Sequence, residues 1–302
     1  MTNQYRFYFV TNIALIVALA IITASCSNDD NGAPVPVEPT TNGITDISEE
    51  IKNLIYFQGE EQAPTVLITV PGGPSTEFGT DIVDTVFESF DTTDMLTVTV
   101  HQAQTLDSTV VKGTDLSLEQ AVDLNDESIA MLDEVMSYFK GQGRTVYLFG
   151  LSFGAFITQE MIAKNGIDSA DKYLIITGRL DMDQLVWEAA AEGREACFEN
   201  GLTPKVAPEP DPDVKERNLN RISAGYSRNR YTELFAPITD LSSVTYVYGA
   251  MDEAVGRLSE AEVAFLESKN TNLFEGPGDH TETLEGFFLV GLETTFDLEA
   301  RQ

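Results

Sequence analysis

The chain has 302 residues, of which 42% are hydrophobic, and its formal net charge is −31. The length and the hydrophobic fraction are sufficient for a large folded core, which excludes a chain that is disordered throughout. The strong negative charge repels nucleic acids and anionic membrane surfaces, so nucleic-acid binding is not expected.

The first 26 residues differ from the rest of the chain. An apolar run at 13–22 has the length of the hydrophobic region of a signal peptide and is short for a membrane span. Small residues follow this run and lead directly to Cys26. The pattern resembles a bacterial lipoprotein signal, in which residues 1–25 are removed and the cysteine is lipidated. The alternatives are a conventionally cleaved signal peptide and an uncleaved N-terminal anchor.

The resemblance implies a lipid-anchored protein of the bacterial cell envelope, held at the outer membrane and facing the periplasm or the surface. Residues 26–50 are rich in Pro, Asn and Asp and are predicted to form a flexible tether. The N-terminal anchor is then the only expected contact with lipid. If Cys26 carries lipid, Cys197 is the one remaining cysteine, which excludes an intrachain disulfide.

From residue 51 onward, short apolar runs alternate with longer amphipathic segments. A helix is predicted over 118–140, where Ile129, Leu132 and Met136 recur at helical spacing on one face. Further helices are predicted at 259–269 and 281–300. Strands are predicted at 53–57, 65–70, 96–100, 145–150, 173–177, 244–248 and 272–274. The alternation predicts an α/β fold with a mostly parallel central sheet flanked by helices.

The interval 179–240 interrupts this alternation. It lacks strand-like runs and contains a stretch of Pro and acidic residues at 204–213, so it is predicted to be a helical insertion into a domain that spans 51–302. In parallel α/β sheets, ligands bind beyond the carboxyl ends of the strands. Functional residues are therefore expected directly after the apolar runs.

A candidate nucleophile lies in the segment Gly150-Leu151-Ser152-Phe153-Gly154. Taken alone, this G-x-S-x-G could be an accident of small residues. Here it follows a predicted strand and precedes a helical segment, which is the context that gives the motif its meaning. The glycines permit a tight turn, and Ser152 then stands at a helix N-terminus, whose positive end favours a developing oxyanion.

A catalytic serine needs a base, and the base needs an orienting acid. The chain contains two histidines, and both follow strand-like runs. The chain order Ser, Asp, His of strand–turn–helix serine hydrolases favours His280 over His101 as the base. Asp252, just after the run at 244–248, is the predicted acid. Glu253 is the alternative acid, and either carboxylate could instead belong to a solvated loop.

Two backbone N–H groups are expected to stabilise the oxyanion. One is that of Phe153, directly after the serine, and the other comes from Gly73, with Gly72 as the alternative. These glycines lie in a Pro-Gly-Gly-Pro segment that follows the run at 65–70. Glycine lets a backbone N–H face a ligand without a Cβ in the way. The alternative interpretation is a plain Pro/Gly turn.

Together these residues resemble the α/β-hydrolase family from residue 51 to the C-terminus. The Gly-Gly loop, the Ser152 motif, Asp252 and His280 occur in the order that is usual for the family. The resemblance implies the α/β-hydrolase fold, with the insertion at 179–240 as a small helical cap over the active site. It also implies hydrolysis without a metal or an organic cofactor.

The loop after the first central strand is similar to the His-Gly-Gly-Pro-Gly loop of the prolyl-iminopeptidase-like branch of that family. Pro71 stands where the branch has His, and Ser75 where it has the last Gly. The segment at 101–108 takes the place of the branch's Asp-Gln-Arg-Gly-type motif. The resemblance therefore supports the hydrolase fold more than aminopeptidase activity.

Two further features have two interpretations each. His101 either contacts the substrate or orients the oxyanion loop, or it is a hydrogen-bonded structural residue. Five cations between 215 and 230 stand against one acidic residue. Of these, Arg228 and Arg230 are candidates for contact with a carboxylate or phosphate of the substrate. The alternative is salt bridging to the acidic helix predicted within 183–199.

The function predicted from these residues is that of a serine hydrolase acting on ester, thioester or amide bonds, with carboxylic esters as the first choice. The substrate is expected to be a small molecule or a short peptide. One alternative is an iminopeptidase-like aminopeptidase. Another is a non-catalytic binding lipoprotein that keeps the hydrolase scaffold. The sequence does not indicate an oligomeric state.

Overall fold

The computed structural model describes residues 43–301. The predicted signal peptide, Cys26 and most of the predicted tether lie outside the described residues. The last part of the predicted tether contacts the domain: Ile47 is buried, and the Tyr138 hydroxyl donates a hydrogen bond to the carbonyl of Asp46. The packed part of the chain therefore begins before the predicted boundary at residue 51.

Helices and strands alternate through most of this range. The strands are β1 Ile55–Gly59, β2 Thr65–Val70, β3 Met95–Val100, β4 Thr145–Leu151, β5 Lys172–Ile176, β6 Ala196–Glu199, β7 Thr203–Val206, β8 Val244–Gly249 and β9 Asn272–Gly276. The helices are α1 Glu49–Lys52, α2 Asp81–Ser89, α3 Ala103–Leu106, α4 Thr109–Lys112, α5 Leu118–Gly141, α6 Phe153–Asn165, α7 Gln184–Ala191, α8 Val214–Ser227, α9 Tyr231–Leu234, α10 Glu260–Ser268 and α11 His280–Phe296. Between residues 43 and 301, no helix is long and apolar enough to cross a membrane.

Between residues 43 and 301, seven strands form the central sheet, in the order β1-β3-β2-β4-β5-β8-β9. All neighbouring pairs are parallel except β1 and β3. Each of the seven apolar runs in the sequence contributes one strand to this sheet. The inner strands, such as β2, β3 and β8, are buried on both faces and consist mainly of apolar residues. The prediction of a mostly parallel sheet flanked by helices is confirmed.

The core has two parts, one on each face of the sheet. In β2, Val66 and Ile68 pack into one part, while Leu67 packs into the other, because successive side chains of a strand point to opposite faces. Helices α5 and α6 cover the first face and α2 and α11 the second. The inner strands of the sheet are thus covered on both faces, which leaves their carboxyl ends for a functional site.

The predicted helical insertion is only partly helical. It contains α7, α8 and α9, but β6 and β7 form an antiparallel hairpin within it. The turn uses Asn200 and Gly201, both with positive φ (52° and 69°), the conformation that Asn-Gly favours in tight hairpins. The sequence did not predict these strands because β6 lies within the helix predicted at 183–199 and most of β7 lies in the stretch of Pro and acidic residues at 204–213, although the Asn-Gly pair is a signal for the turn.

Candidate active site

Ser152 lies in a sharp turn at the carboxyl end of β4. It separates the last residue of β4 from the first residue of α6, with φ 53° and ψ −118°. Its N–H donates to the carbonyl of Ile176 at the end of β5 (2.9 Å). A non-glycine residue in this region of φ/ψ space is strained, and such strain persists only where the surroundings hold it in place. The turn projects the serine beyond the sheet edge at a helix N-terminus.

The two glycines of the motif are required by close packing. A Cβ on Gly154 would collide with the carbonyl oxygens of Val70 and Pro71, and one on Gly150 would collide with the carbonyl oxygen of Gly154 and the Thr158 hydroxyl. The turn therefore fits tightly between β2 and the first turn of α6. This explains why residues on both sides of the serine lack side chains.

His280 is placed beside the serine by α11, of which it is the first residue. Its Nε2 lies 3.0 Å from the Ser152 Oγ, and its side chain is 12% exposed. The two residues are separated by 128 positions in the chain. The geometry lets the imidazole accept the hydroxyl proton, provided that the other ring nitrogen carries hydrogen.

Asp252 forms a hydrogen bond with the other ring nitrogen of His280, Nδ1. Its Oδ2 lies 2.8 Å from His280 Nδ1, and the residue is only 1% exposed. Its Oδ1 accepts the N–H groups of Ala254 and Val255, both at 2.9 Å. These two bonds fix the carboxylate after β8, and the buried acceptor favours the tautomer of His280 that has hydrogen on Nδ1.

Glu253, the alternative acid, binds the same histidine at a different atom. Its Oε2 accepts the backbone N–H of His280 (3.1 Å), not a ring nitrogen. Asp252 is therefore the carboxylate at the imidazole. Sequence reasoning did not foresee the contact of Glu253, because nothing in a single sequence shows which of two adjacent carboxylates faces the ring.

The Gly-Gly loop lies against the nucleophile. A Cβ on Gly72 would stand 3.3 Å from the Ser152 Cβ and 3.1 Å from the Leu151 Cδ1, so only glycine permits this approach without displacement. Gly73 has φ +143°, a conformation that side chains rarely adopt. Phe153 begins α6, so its N–H has no acceptor within the helix. Gly72 and Phe153 thus lie next to the serine, and the roles of Phe153, Gly73 and Gly72 as oxyanion donors stay predictions.

His101 contacts the loop that follows β2, which also contains Gly72 and Gly73. Its ring stacks on that of Phe78 with 3.4 Å between the ring centroids, and its Nδ1 lies 2.9 Å from the Thr105 hydroxyl. Burial lowers the pKa of the His101 imidazole, which favours the neutral form. Phe78 belongs to the loop that follows β2, so the stacking agrees with an orienting role, whereas the hydrogen bond to Thr105 agrees with a structural one. The role of His101 stays a prediction.

The insertion contacts the residue after the nucleophile. Tyr226 of α8 meets Phe153 edge-on, with 5.5 Å between the ring centroids, and its hydroxyl donates to the Asn125 carbonyl in α5 (2.9 Å). Both residues are buried. The α8 segment therefore packs on the amino-terminal turn of α6, and its role as a cap over the active site stays a prediction.

The basic cluster of the insertion is largely engaged in ion pairs. Arg217 binds Asp115 with two hydrogen bonds (2.7 and 2.9 Å) and Arg221 adds a third (2.6 Å). The hydrogen bonds from Arg217, followed by those from Arg221, hold the pKa of the Asp115 carboxyl far below its usual range. The partner expected from the sequence, the helix within 183–199, is not the one used, because α8 packs beside the loop that precedes α5.

The two arginines predicted to contact substrate are more exposed. Arg230 lies 3.4 Å from Asp181 and donates to the Met182 carbonyl (3.2 Å), with its side chain 50% exposed. It lines a surface cavity of about 560 Å³, to which Ser152 and His280 do not contribute. Arg228 is exposed at the end of α8. A role of either residue in substrate binding stays a prediction.

The described residues offer no cluster suited to a metal. Within residues 43–301, no three or more His, Cys, Asp and Glu side chains are grouped so that they could hold a metal ion.

Several solved structures share this fold. The chain is similar to MGS-M2, an α/β-hydrolase enzyme from a Medee basin deep-sea metagenome library, at 12% identity over 80% of this chain and 94% of that one, with a TM-score of 0.52. A thermostable carboxyl esterase from Bacillus coagulans matches at 12% identity, with 80% and 93% covered and a TM-score of 0.50. A lipase in its open form matches at 13%, with 80% and 92% covered and a TM-score of 0.51.

No protein-family model and no curated protein matches the chain. At these identities the structural matches establish the fold alone. The chain has the α/β-hydrolase fold, as the sequence predicted, and the similarity to the prolyl-iminopeptidase-like branch stays a prediction.

Proposed function

We propose that this protein is a serine hydrolase in which Ser152, His280 and Asp252 form the catalytic triad, and that its substrates are carboxylic esters. The observation that carries the proposal is the continuous chain of two hydrogen bonds, 3.0 Å from serine to imidazole and 2.8 Å from imidazole to carboxylate. Three side chains from distant parts of the sequence meet in the arrangement that activates a serine hydroxyl.

In the proposed reaction, Ser152 Oγ attacks the ester carbonyl while His280 Nε2 takes the hydroxyl proton. The tetrahedral intermediate collapses when its bond to the alcohol breaks and the imidazolium returns the proton to the leaving oxygen. Water then hydrolyses the acyl-serine by the same sequence, with His280 as base and then as acid. Asp252 holds the tautomer and stabilises the imidazolium without itself taking the proton.

The negative charge of the intermediate would be stabilised by backbone N–H groups of Phe153 and Gly73, with Gly72 as the alternative to Gly73. The position of Phe153 at the start of α6 supports this role, because the helix dipole adds to the effect of the free N–H. The contact of Gly72 with Ser152 supports the placement of the second donor.

The proposal predicts that a fluorophosphonate probe labels the protein at Ser152, because an activated serine attacks phosphorus as it attacks an ester carbonyl. Labelling is read on a gel or by mass spectrometry of the modified peptide. The variant Ser152→Ala should lose the label, whereas Ser137→Ala, at an exposed position of α5, should keep it. Equal labelling of wild type and Ser152→Ala contradicts the proposal.

Turnover of a panel of short-chain p-nitrophenyl esters, thioesters and aminoacyl-arylamides identifies the type of bond that the protein hydrolyses. Esters are the first choice because hydrolases of this fold include a carboxyl esterase and a lipase. The Pro-Gly-Gly-Pro loop motivates the arylamides, whose turnover would identify an aminopeptidase. An absence of turnover on the whole panel would instead favour a non-catalytic binding protein.

We also propose that Cys26 attaches the protein by lipid to the bacterial envelope. The support is the apolar run at 13–22 and the small residues before the cysteine. Radiolabelled palmitate should enter the wild-type protein and the Cys197→Ser variant, but not the Cys26→Ser variant. A wild-type protein without label would contradict the anchor.

A further inference from the structure

Two consecutive carboxylates hold the proposed catalytic histidine at two different places. Asp252 binds the ring of His280, and Glu253 binds its backbone N–H. We infer that Glu253 is a positioning residue that fixes the first turn of α11 and thereby the distance from His280 to Ser152. The inference rests on the proposed function, since it assigns to Glu253 a role in the same site.

The N–H of His280 needs an acceptor from outside the helix. The first N–H groups of an α-helix have no partner within it, and His280 is the first residue of α11. The capping side chain Asp279 accepts the N–H of Glu282 (2.9 Å), and the Glu282 carboxylate accepts that of Asp279 (3.3 Å). This reciprocal pair does not use the N–H of His280. The half-buried Glu253 accepts that N–H through its Oε2, with 3.1 Å between the two atoms.

The contact is electrostatically favourable as well as geometrically suitable. A hydrogen bond to an ionised carboxylate is stronger than one between neutral groups. The positive end of the helix dipole also favours negative charge at this terminus. The acceptor oxygen of Glu253 therefore supplies the contact with the end of α11, and its charge adds to the strength of that contact.

Glu253 is itself held by the hairpin of the insertion. Its carbonyl accepts the N–H of Phe198 in β6 (2.7 Å), and the Phe198 side chain is 2% exposed. The hairpin turn adds a second contact, because the N–H of Arg257 donates to the Gly201 carbonyl (2.9 Å). The loop that carries Asp252 and Glu253 is thus bound to the hairpin on one side and to the histidine on the other.

Loss of the acceptor should therefore affect catalysis more than substrate binding. A displacement of a catalytic group by about 1 Å can cost on the order of 100-fold in rate. We expect Glu253→Ala to lower kcat for p-nitrophenyl butyrate by about 10- to 100-fold with KM changed less than about 3-fold, because transition-state geometry is lost and ground-state binding is kept. Glu253→Gln keeps an acceptor oxygen and should retain kcat within about 3-fold of wild type.

The experiment measures kcat and KM of the full-length wild type, Glu253→Ala, Glu253→Gln, Glu285→Ala and Ser152→Ala, together with their melting temperatures. Glu285→Ala removes an exposed carboxylate from the same helix and should leave kcat unchanged. Hydrogen exchange of the His280 amide, followed by mass spectrometry, should be faster in Glu253→Ala and near wild type in Glu253→Gln. This amide measurement distinguishes loss of the contact from general unfolding.

The outcomes separate this inference from the proposed function. If Ser152→Ala abolishes turnover while Glu253→Ala keeps the wild-type kcat, the positioning role is overturned and the triad stands. If Glu253→Gln is as slow as Glu253→Ala, the hydrogen-bond acceptor is not what matters, and the inference is also overturned. If wild type and Ser152→Ala are equally inactive, the proposed function is wrong and this role falls with it.

Discussion

Replacing His280 with alanine is expected to lower kcat for ester hydrolysis by about 10⁴- to 10⁶-fold, since triads lose most of their rate when the base is removed. The imidazole is the group placed to take the Ser152 proton, with 3.0 Å between Nε2 and Oγ. Without it, the serine remains a neutral hydroxyl and the leaving group has no proton donor. Steady-state or single-turnover hydrolysis of a p-nitrophenyl ester measures the loss.

The matched control is the other histidine of the chain. His101→Phe keeps an aromatic ring against Phe78 and removes the imidazole, so it should retain kcat within about 10-fold. The double variant Ser152→Ala/His280→Ala should be hardly slower than either single variant, because groups that act as one unit are not additive. A severe loss in His101→Phe, together with a mild loss in His280→Ala, would show that the base has been assigned to the wrong histidine.

Replacing Gly154 with alanine is expected to destabilise the fold by about 3 kcal/mol or more, because overpacking a close contact costs typically 1–3 kcal/mol and a collision with backbone cannot be relieved by a rotamer change. The new Cβ would meet the carbonyl oxygens of Val70 and Pro71. Either β2 and its loop or the nucleophile turn has to move, so activity should fall together with stability. Urea unfolding, followed by circular dichroism, measures the change.

Gly286→Ala provides the control for that experiment. Gly286 lies in α11, and an added Cβ would have no atom within 4 Å apart from its chain neighbours and the nearby backbone of its own helix, so alanine should stabilise the protein by about 0.5–1 kcal/mol through helix propensity. If Gly154→Ala lowers the free energy of unfolding and Gly286→Ala raises it, the loss at Gly154 comes from lack of space for the Cβ and not from a change in chain flexibility. A Gly154→Ala variant as stable as wild type would mean that the turn relaxes at little cost.

Local patterns were sufficient to predict much of this architecture. The seven apolar runs became the seven strands of the central sheet, and the inner strands are apolar because burial on both faces demands apolar side chains whatever the neighbours are. Helix α5 begins at the predicted residue, Leu118, because the preceding Ser117 forms a capping box with Gln120. Such signals act within a few residues and are readable from one sequence.

The hairpin of the insertion is not predicted by local sequence patterns. Its strands, β6 and β7, are four residues each and mostly polar on their exposed sides, so periodicity did not reveal them. They are held by pairing with each other and by the bond from Phe198 to the Glu253 carbonyl. Stability that comes from tertiary contacts leaves little trace in local composition.

The sequence by itself determined the order of strand, turn and helix around Ser152. Because the chain contains only two histidines, the sequence also limited the catalytic base to His280 or His101. Only the tertiary structure decided which of two adjacent carboxylates meets the imidazole, and that Arg217 pairs with Asp115, 102 positions away. The physical reason is the same in both cases. Backbone geometry is set by neighbours in the chain, whereas the partner of a side chain depends on the path of the chain through the folded domain.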